Sequence, residues 1–151
     1  DASTIAAARY LEDIERNAMA MRTLGVRDMA TFAYPYGSVR PAHKRAVASR
    51  FPLARGIRPG VNGPRTDGML LRAVALDGGD EGIARAIDHA ATLARQGGWL
   101  IYFGHEVAEN PGPWGCTPAQ LTAVANAVRA SGAEVLTMGA ALDRLAHATG
   151  R

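Results

Sequence analysis

The chain has 151 residues, 48% of them apolar, and a formal net charge of +3 from 17 basic and 14 acidic side chains that are interspersed along it. That is enough apolar material for one core in a single domain spanning 1–151, and too little clustered charge for a nucleic-acid or anionic-membrane surface. No apolar run approaches the ~20 residues of a membrane-spanning helix, so no transmembrane segment is expected, and the lone Cys116 excludes an intrachain disulfide and a cysteine metal site.

In chain order, Ala7, Leu11, Ile14, Ala18 and Met21 recur at spacings of four and three, the stripe of an amphipathic helix that Ser3 or Thr4 can cap and Gly25 ends. Met29 to Tyr34 reads as a short strand running into Pro35-Tyr36-Gly37, and Pro41 opens a helix through Ser49. A further strand is expected around Leu53 to Ile57, an irregular loop from Pro59 to Gly68, and a buried strand over Met69 to Leu76. Ile83, Ile87, Ala90 and Ala94 mark a helix closed by Gly97 and Gly98, after which "WLIYF" (Trp99–Phe103) is the strongest strand signal. A polar, Gly/Pro-rich loop spans His105 to Cys116. Thr117 and Pro118 then start a helix that stops at Gly132, "AEVLTM" reads as a last strand, and Ala140 to His147 as a last helix.

Strands alternating with helices imply a largely parallel sheet with helical cover, hence an α/β fold. The count is about five strands, against the eight and about 250 residues of a closed (β/α) barrel, so an open doubly wound sheet and part of a barrel both fit. In either arrangement chemistry collects at the carboxyl ends of strands, where Pro35, Tyr36, Gly37 and His105 all fall. Histidine is the side chain best suited to proton transfer near neutrality. His43 and His89 sit within expected helices and His147 near the chain end, which suits structural roles. No His-x-x-x-His, zincin, Walker, Gly-x-Ser-x-Gly or dinucleotide-binding motif occurs. Arg55, Arg58, Asn62, Asp67, Arg72 and Asp77 are the remaining polar residues of interest, and their bland reading is a set of solvated loop groups.

Taken together and in order, "FAYPYG", "ARGIRPGVNGPRTDGMLLRAVAL" and "GGWLIYFGHEVAENPGPWGCTPAQLTAVANAVRASGAEVLTMGAALDRL" resemble the C-terminal portion of the polysaccharide deacetylase family, the NodB-homology or carbohydrate esterase family 4 enzymes. The likeness runs from about Ala6 to about Leu145. It implies part of a distorted (β/α) barrel of the NodB-homology type, with its N-terminal strands missing. It also implies hydrolytic removal of acetyl groups from an N-acetylated sugar or polysaccharide, aided by a divalent metal, usually zinc. Such amide hydrolysis needs an activated water, a stabilised oxyanion and a proton for the departing amine. The resemblance assigns the oxyanion contact to the Tyr36 main-chain N–H and the acid to His105. Asp77, with Asp67 second, is the candidate for orienting His105. Tyr34, Pro35, the Tyr36 ring and Trp114 are candidates for lining the substrate groove.

Two departures qualify the likeness. Many relatives carry an arginine just before the aromatic-Pro turn, where this chain has Ala33 and Tyr34. The Asp-Asp strand end and the His-x-x-x-His segment that supply base and metal ligands in the family do not occur, so the metal's ligands are expected in an absent N-terminal region. Asp1 stands where Met would open a chain, which suggests a processed or partial protein. A half-barrel would expose the flank of its sheet, so the missing N-terminal half or a second copy is expected to cover the first strand and first helix. The isolated chain is expected to be inactive, and the competing reading is a non-catalytic carbohydrate-binding or assembly module derived from such a barrel.

Overall fold

The computed structural model describes residues 4–27 and 29–148, and the expected Ser3 cap lies outside them. Five α-helices and four short β-strands follow in the order α1 (Ala7–Thr23), β1 (Thr31–Ala33), α2 (Pro41–Ala48), β2 (Leu53–Arg55), β3 (Val74–Ala75), α3 (Gly79–Gln96), β4 (Tyr102–Phe103), α4 (Pro118–Ala130) and α5 (Met138–Ala148). They fall into two compact units. The first comprises Asp1–Gly56, Asp67–Leu71 and Leu136–Arg151, and the second Ile57–Thr66 and Arg72–Val135.

In the first unit α1 buries Tyr10, Ile14 and Ala18, which lie on one face at a spacing of four residues. Its outer face carries Arg9 pairs with Glu12 and Asp13, and Arg50 reaches Glu15 from beyond α2. These are exposed pairs, so packing and not charge holds the helix. Tyr10 and Ile14 join Tyr34, Val47 and Ala54 in a core that Ile5, Phe32, Val39, Phe51 and Met69 surround. β1 and β2 pair in parallel with Phe32 opposite Ala54, and Leu71 adds a parallel bridge to Arg55 on β2.

In the second unit β3 and β4 pair in parallel, Val74 with Tyr102 and Ala75 with Phe103. α3 and α4 cover them through a core of Val74, Leu76, Ile83, Ala86, Cys116 and Val124. α4 starts at a capping box in which Thr117 accepts from the Gln120 N–H while the Gln120 side chain accepts from the Thr117 N–H. Gln120 also donates to Asp80 in the first turn of α3, tying the two helices together at 2.9 Å. Gly82 is there because nothing larger fits: a Cβ would stand 1.7 Å from the Asp77 carbonyl oxygen.

The helices fall where the sequence places them, and four of the five expected strands appear, each shorter than expected. The barrel is overturned: the four strands, of two or three residues each, make two separate two-stranded parallel sheets, and no barrel forms. The reason lies in where the backbone hydrogen bonds go, since a closed barrel requires each strand to have a neighbour on both sides. Met69–Leu76 is not one strand. Leu71 exchanges bonds with Ala54 and Gly56, whereas Ala73, Val74 and Leu76 donate to Arg58, Ile101 and Phe103. In "WLIYF" the Trp99 backbone is spent on an antiparallel bridge to Asn62, leaving Tyr102–Phe103 for β3. Of "AEVLTM", Ala133–Met138, read as a fifth strand, residues 133–137 are irregular, with Val135 75% exposed, and Met138 opens α5. An apolar run alone made that segment look like a strand.

Candidate active site

Two strand ends carry the residues that point to chemistry, one in each unit. In the first unit β1 runs into a single 3₁₀ turn, Pro35–Gly37, closed by Gly37 N–H donating to Tyr34 O at 2.9 Å and Ser38 N–H donating to Pro35 O at 3.1 Å. Tyr36 has φ 56° and ψ 15°, the left-handed region that a non-glycine residue rarely enters, and its side chain is 83% exposed. The strain costs about 1–2 kcal/mol, yet the exposed ring recovers little burial in exchange. Such uncompensated strain is concentrated at functional positions. The two turn bonds use the N–H groups of Gly37 and Ser38, so the Tyr36 N–H stands outside both.

Tyr34 and Pro35 diverge. Pro35 is exposed, but Tyr34 is 2% exposed and packs edge-on against Phe32, so it offers no ring face to a sugar. Its hydroxyl is buried without a hydrogen-bond partner, as are the Tyr10 hydroxyl and Nδ1 of His43. Burial, with smaller contributions from Tyr10 and Asp67, pushes the Tyr34 phenol up to about 12. Alternation along the strand could have flagged this, because Phe32 and Tyr34 share one face and Phe32 packs against the core.

In the second unit, the register that pairs Ala75 with Phe103 continues as Leu76 N–H donates to Phe103 O at 2.8 Å. Asp77 and His105 each lie two residues beyond the last pair, Ala75 and Phe103, at the carboxyl ends of neighbouring parallel strands. His105 is exposed and stands edge-on to Phe103 with ring centroids 6.0 Å apart. The other histidines are occupied. Because a carbonyl only accepts, Nε2–H of His43 donates to Ile5 O, Nδ1–H of His89 to Arg85 O and Nδ1–H of His147 to Asp143 O. Asp67 is likewise engaged, by Lys44 and by the Met69 N–H at 2.9 Å, and the Lys44 hydrogen bond, the largest cause, holds its carboxyl below the usual range. Of the two candidate aspartates, Asp77 is the one in the same unit as His105.

Beyond His105 the chain makes a loop whose neck is closed by Ala108 N–H to Cys116 O at 3.1 Å and Cys116 N–H to Glu106 O at 3.2 Å. Trp114 stands on it 65% exposed, with Val107 half exposed. The sequence marks Asn62 as a polar residue of interest and assigns Glu106 no role. Asn62, whose bland reading there is a solvated loop group, is 3% exposed: its side chain donates to Arg72 O and Trp99 O, and accepts from Arg72 N–H at 2.8 Å. Its place in the Pro/Gly-rich stretch from Pro59 to Gly68, read as an irregular loop, hid that role.

Among the described residues no group of three or more His, Cys, Asp or Glu side chains is arranged to hold a metal ion. The residues present therefore do not fit the divalent metal that the resemblance implies, and no chemical step is routed through one. No helix among the described residues is long and apolar enough to cross a membrane. No protein-family model, curated protein or solved structure matches the chain.

Proposed function

We propose that the protein carrying this chain hydrolyses the N-acetyl group of an acetylated sugar or polysaccharide, with His105 as the proton donor to the departing amine. The observation that supports this is an exposed imidazole two residues beyond the end of β4, with Asp77 two residues beyond the end of its parallel partner β3. An amine leaves poorly as an anion, so a positioned acid of near-neutral affinity is what the reaction demands. Asp77 steadies the protonated imidazole by its charge. The ordered sequence resemblance supplies the reaction class, and the metal, zinc in the usual case, takes its ligands from outside these 151 residues.

The test is acetate release from N-acetylglucosamine oligomers by the full-length protein with zinc supplied. His105→Ala should lower kcat by about 10²–10⁴-fold while metal content and oligomer binding stay unchanged. Undiminished turnover in His105→Ala would reject the role.

A second reading, a carbohydrate-binding module without hydrolysis, draws on the exposed Trp114 and the lack of a metal-ligand cluster among the described residues. It requires the 151-residue chain to bind the oligomers by calorimetry, and the full-length protein to release no acetate with zinc present.

A further inference from the structure

The loop that carries Trp114 is built around the Glu106 side chain. Oε1 of Glu106 accepts from the Gly112 N–H at 2.5 Å, an exposed charge-assisted bond across the loop. Both glycines on the far side leave room for that side chain. A Cβ on Gly112 would approach Glu106 Oε1 to 2.9 Å, and a Cβ on Gly115 would lie 2.4 Å from Glu106 Cγ. The Gly115 Cβ would also meet Pro111 Cβ at 2.9 Å and the Glu106 backbone oxygen at 3.1 Å, so the loop is closed against itself there. Gly115 N–H donates to Gly112 O at 3.1 Å, which fixes the turn that Pro113 and Trp114 occupy. A mobile solvent loop needs none of this. The turn holds one large side chain out into water, and that side chain is a tryptophan.

We propose that Glu106 is a positioning residue that braces the loop so that Trp114 presents its indole face as a stacking platform for the C–H face of a pyranose ring. The ligand class rests on the carbohydrate reading above; the brace does not. An exposed indole fixed in place loses little conformational freedom when a ring stacks on it, so bracing it raises affinity without adding a contact. His105 immediately precedes Glu106, so the same side chain that sets the platform also sets the chain leaving the proton donor.

The chain has two tryptophans, so in a Trp99→Phe background Trp114 reports alone. Glu106→Ala should lower the steady-state anisotropy of Trp114, raise its quenching by acrylamide, and weaken binding of a chito-oligosaccharide by on the order of tenfold. Glu106→Gln keeps an acceptor for the Gly112 N–H and should restore both readouts, which a merely destabilised protein would not do. Trp114→Ala should abolish the oligosaccharide binding. Unchanged anisotropy and quenching in Glu106→Ala would overturn the brace. A loosened Trp114 in Glu106→Ala, in a protein whose Glu106 parent binds no oligosaccharide, would uphold the brace and overturn the pyranose as its ligand.

Discussion

Asp77 and His105 each stand two residues beyond the last paired residues of β3 and β4, Ala75 and Phe103, and the ladder adds one more bond there, Leu76 N–H to Phe103 O. Both residues follow the carboxyl ends of neighbouring parallel strands. Asp67 is held instead by Lys44 within the first unit.

If Asp77 steadies the imidazolium electrostatically, Asp77→Asn should lower kcat for oligomer deacetylation by about 10–100-fold with little change in KM, since one to three kcal/mol of charge support is removed. Asp67→Asn should leave kcat within about twofold and cost stability alone. Steady-state kinetics on the full-length protein separates the two, and equal losses of kcat would remove Asp77 from its assigned place.

Tyr36 holds a left-handed backbone with an exposed ring, so Tyr36→Gly should be neutral or stabilising by about 1 kcal/mol in urea unfolding. Tyr36→Val, β-branched, should destabilise by more than 1 kcal/mol. A loss of stability on Tyr36→Gly would mean that the ring, and not the turn, is what the position requires.

The buried Tyr34 hydroxyl lacks a partner, so Tyr34→Phe should raise stability by about 1 kcal/mol, and a fall in stability would show that ordered water satisfies the group. The pH dependence has a definite sign. The folded phenol titrates at about 12, above the ordinary 10, so the unfolded chain loses its proton first. Stability is then fully present below pH 10 and declines as pH rises from 10 through about 12. Tyr102, raised to about 12 by burial while donating to Ala86 O, acts in the same sense within the second unit. Denaturation followed from pH 9 to 12 should show the decline, and Tyr34→Phe should remove part of it.

Asn62 holds three backbone groups from a buried position, so Asn62→Ala should destabilise by roughly 2–4 kcal/mol, and Asn62→Asp by at least as much because its carboxylate faces two carbonyl oxygens. Gly82→Ala should cost more than about 3 kcal/mol, because the obstructing atom is a backbone oxygen that has no rotamer to escape into. Urea midpoints of the purified variants measure both.

What the sequence by itself determined is what local geometry settles. The α1 stripe, the Thr117-Pro118 start of α4, the glycine at the end of α3 and the tight turn after β1 all rest on contacts within a few residues, so their patterns survive in one dimension. Even His105 at a strand end was legible, since a strand's stop is written in its own residues. Partners were not. A strand's hydrogen bonds go to backbone distant in sequence, so nothing in "MLLRAVAL" states that Leu71 bonds to β2 while the Val74 N–H donates to Ile101 O just before β4, and nothing in "AEVLTM" states that residues 133–137 are irregular. The same non-local choice sent Tyr34 into the core and left Tyr36 in solvent, paired Asp67 with Lys44, turned Asn62 into a buried clamp, and closed the Trp114 loop around Glu106. Those placements are decided by tertiary packing, because only there do residues far apart in the chain compete for the same neighbours.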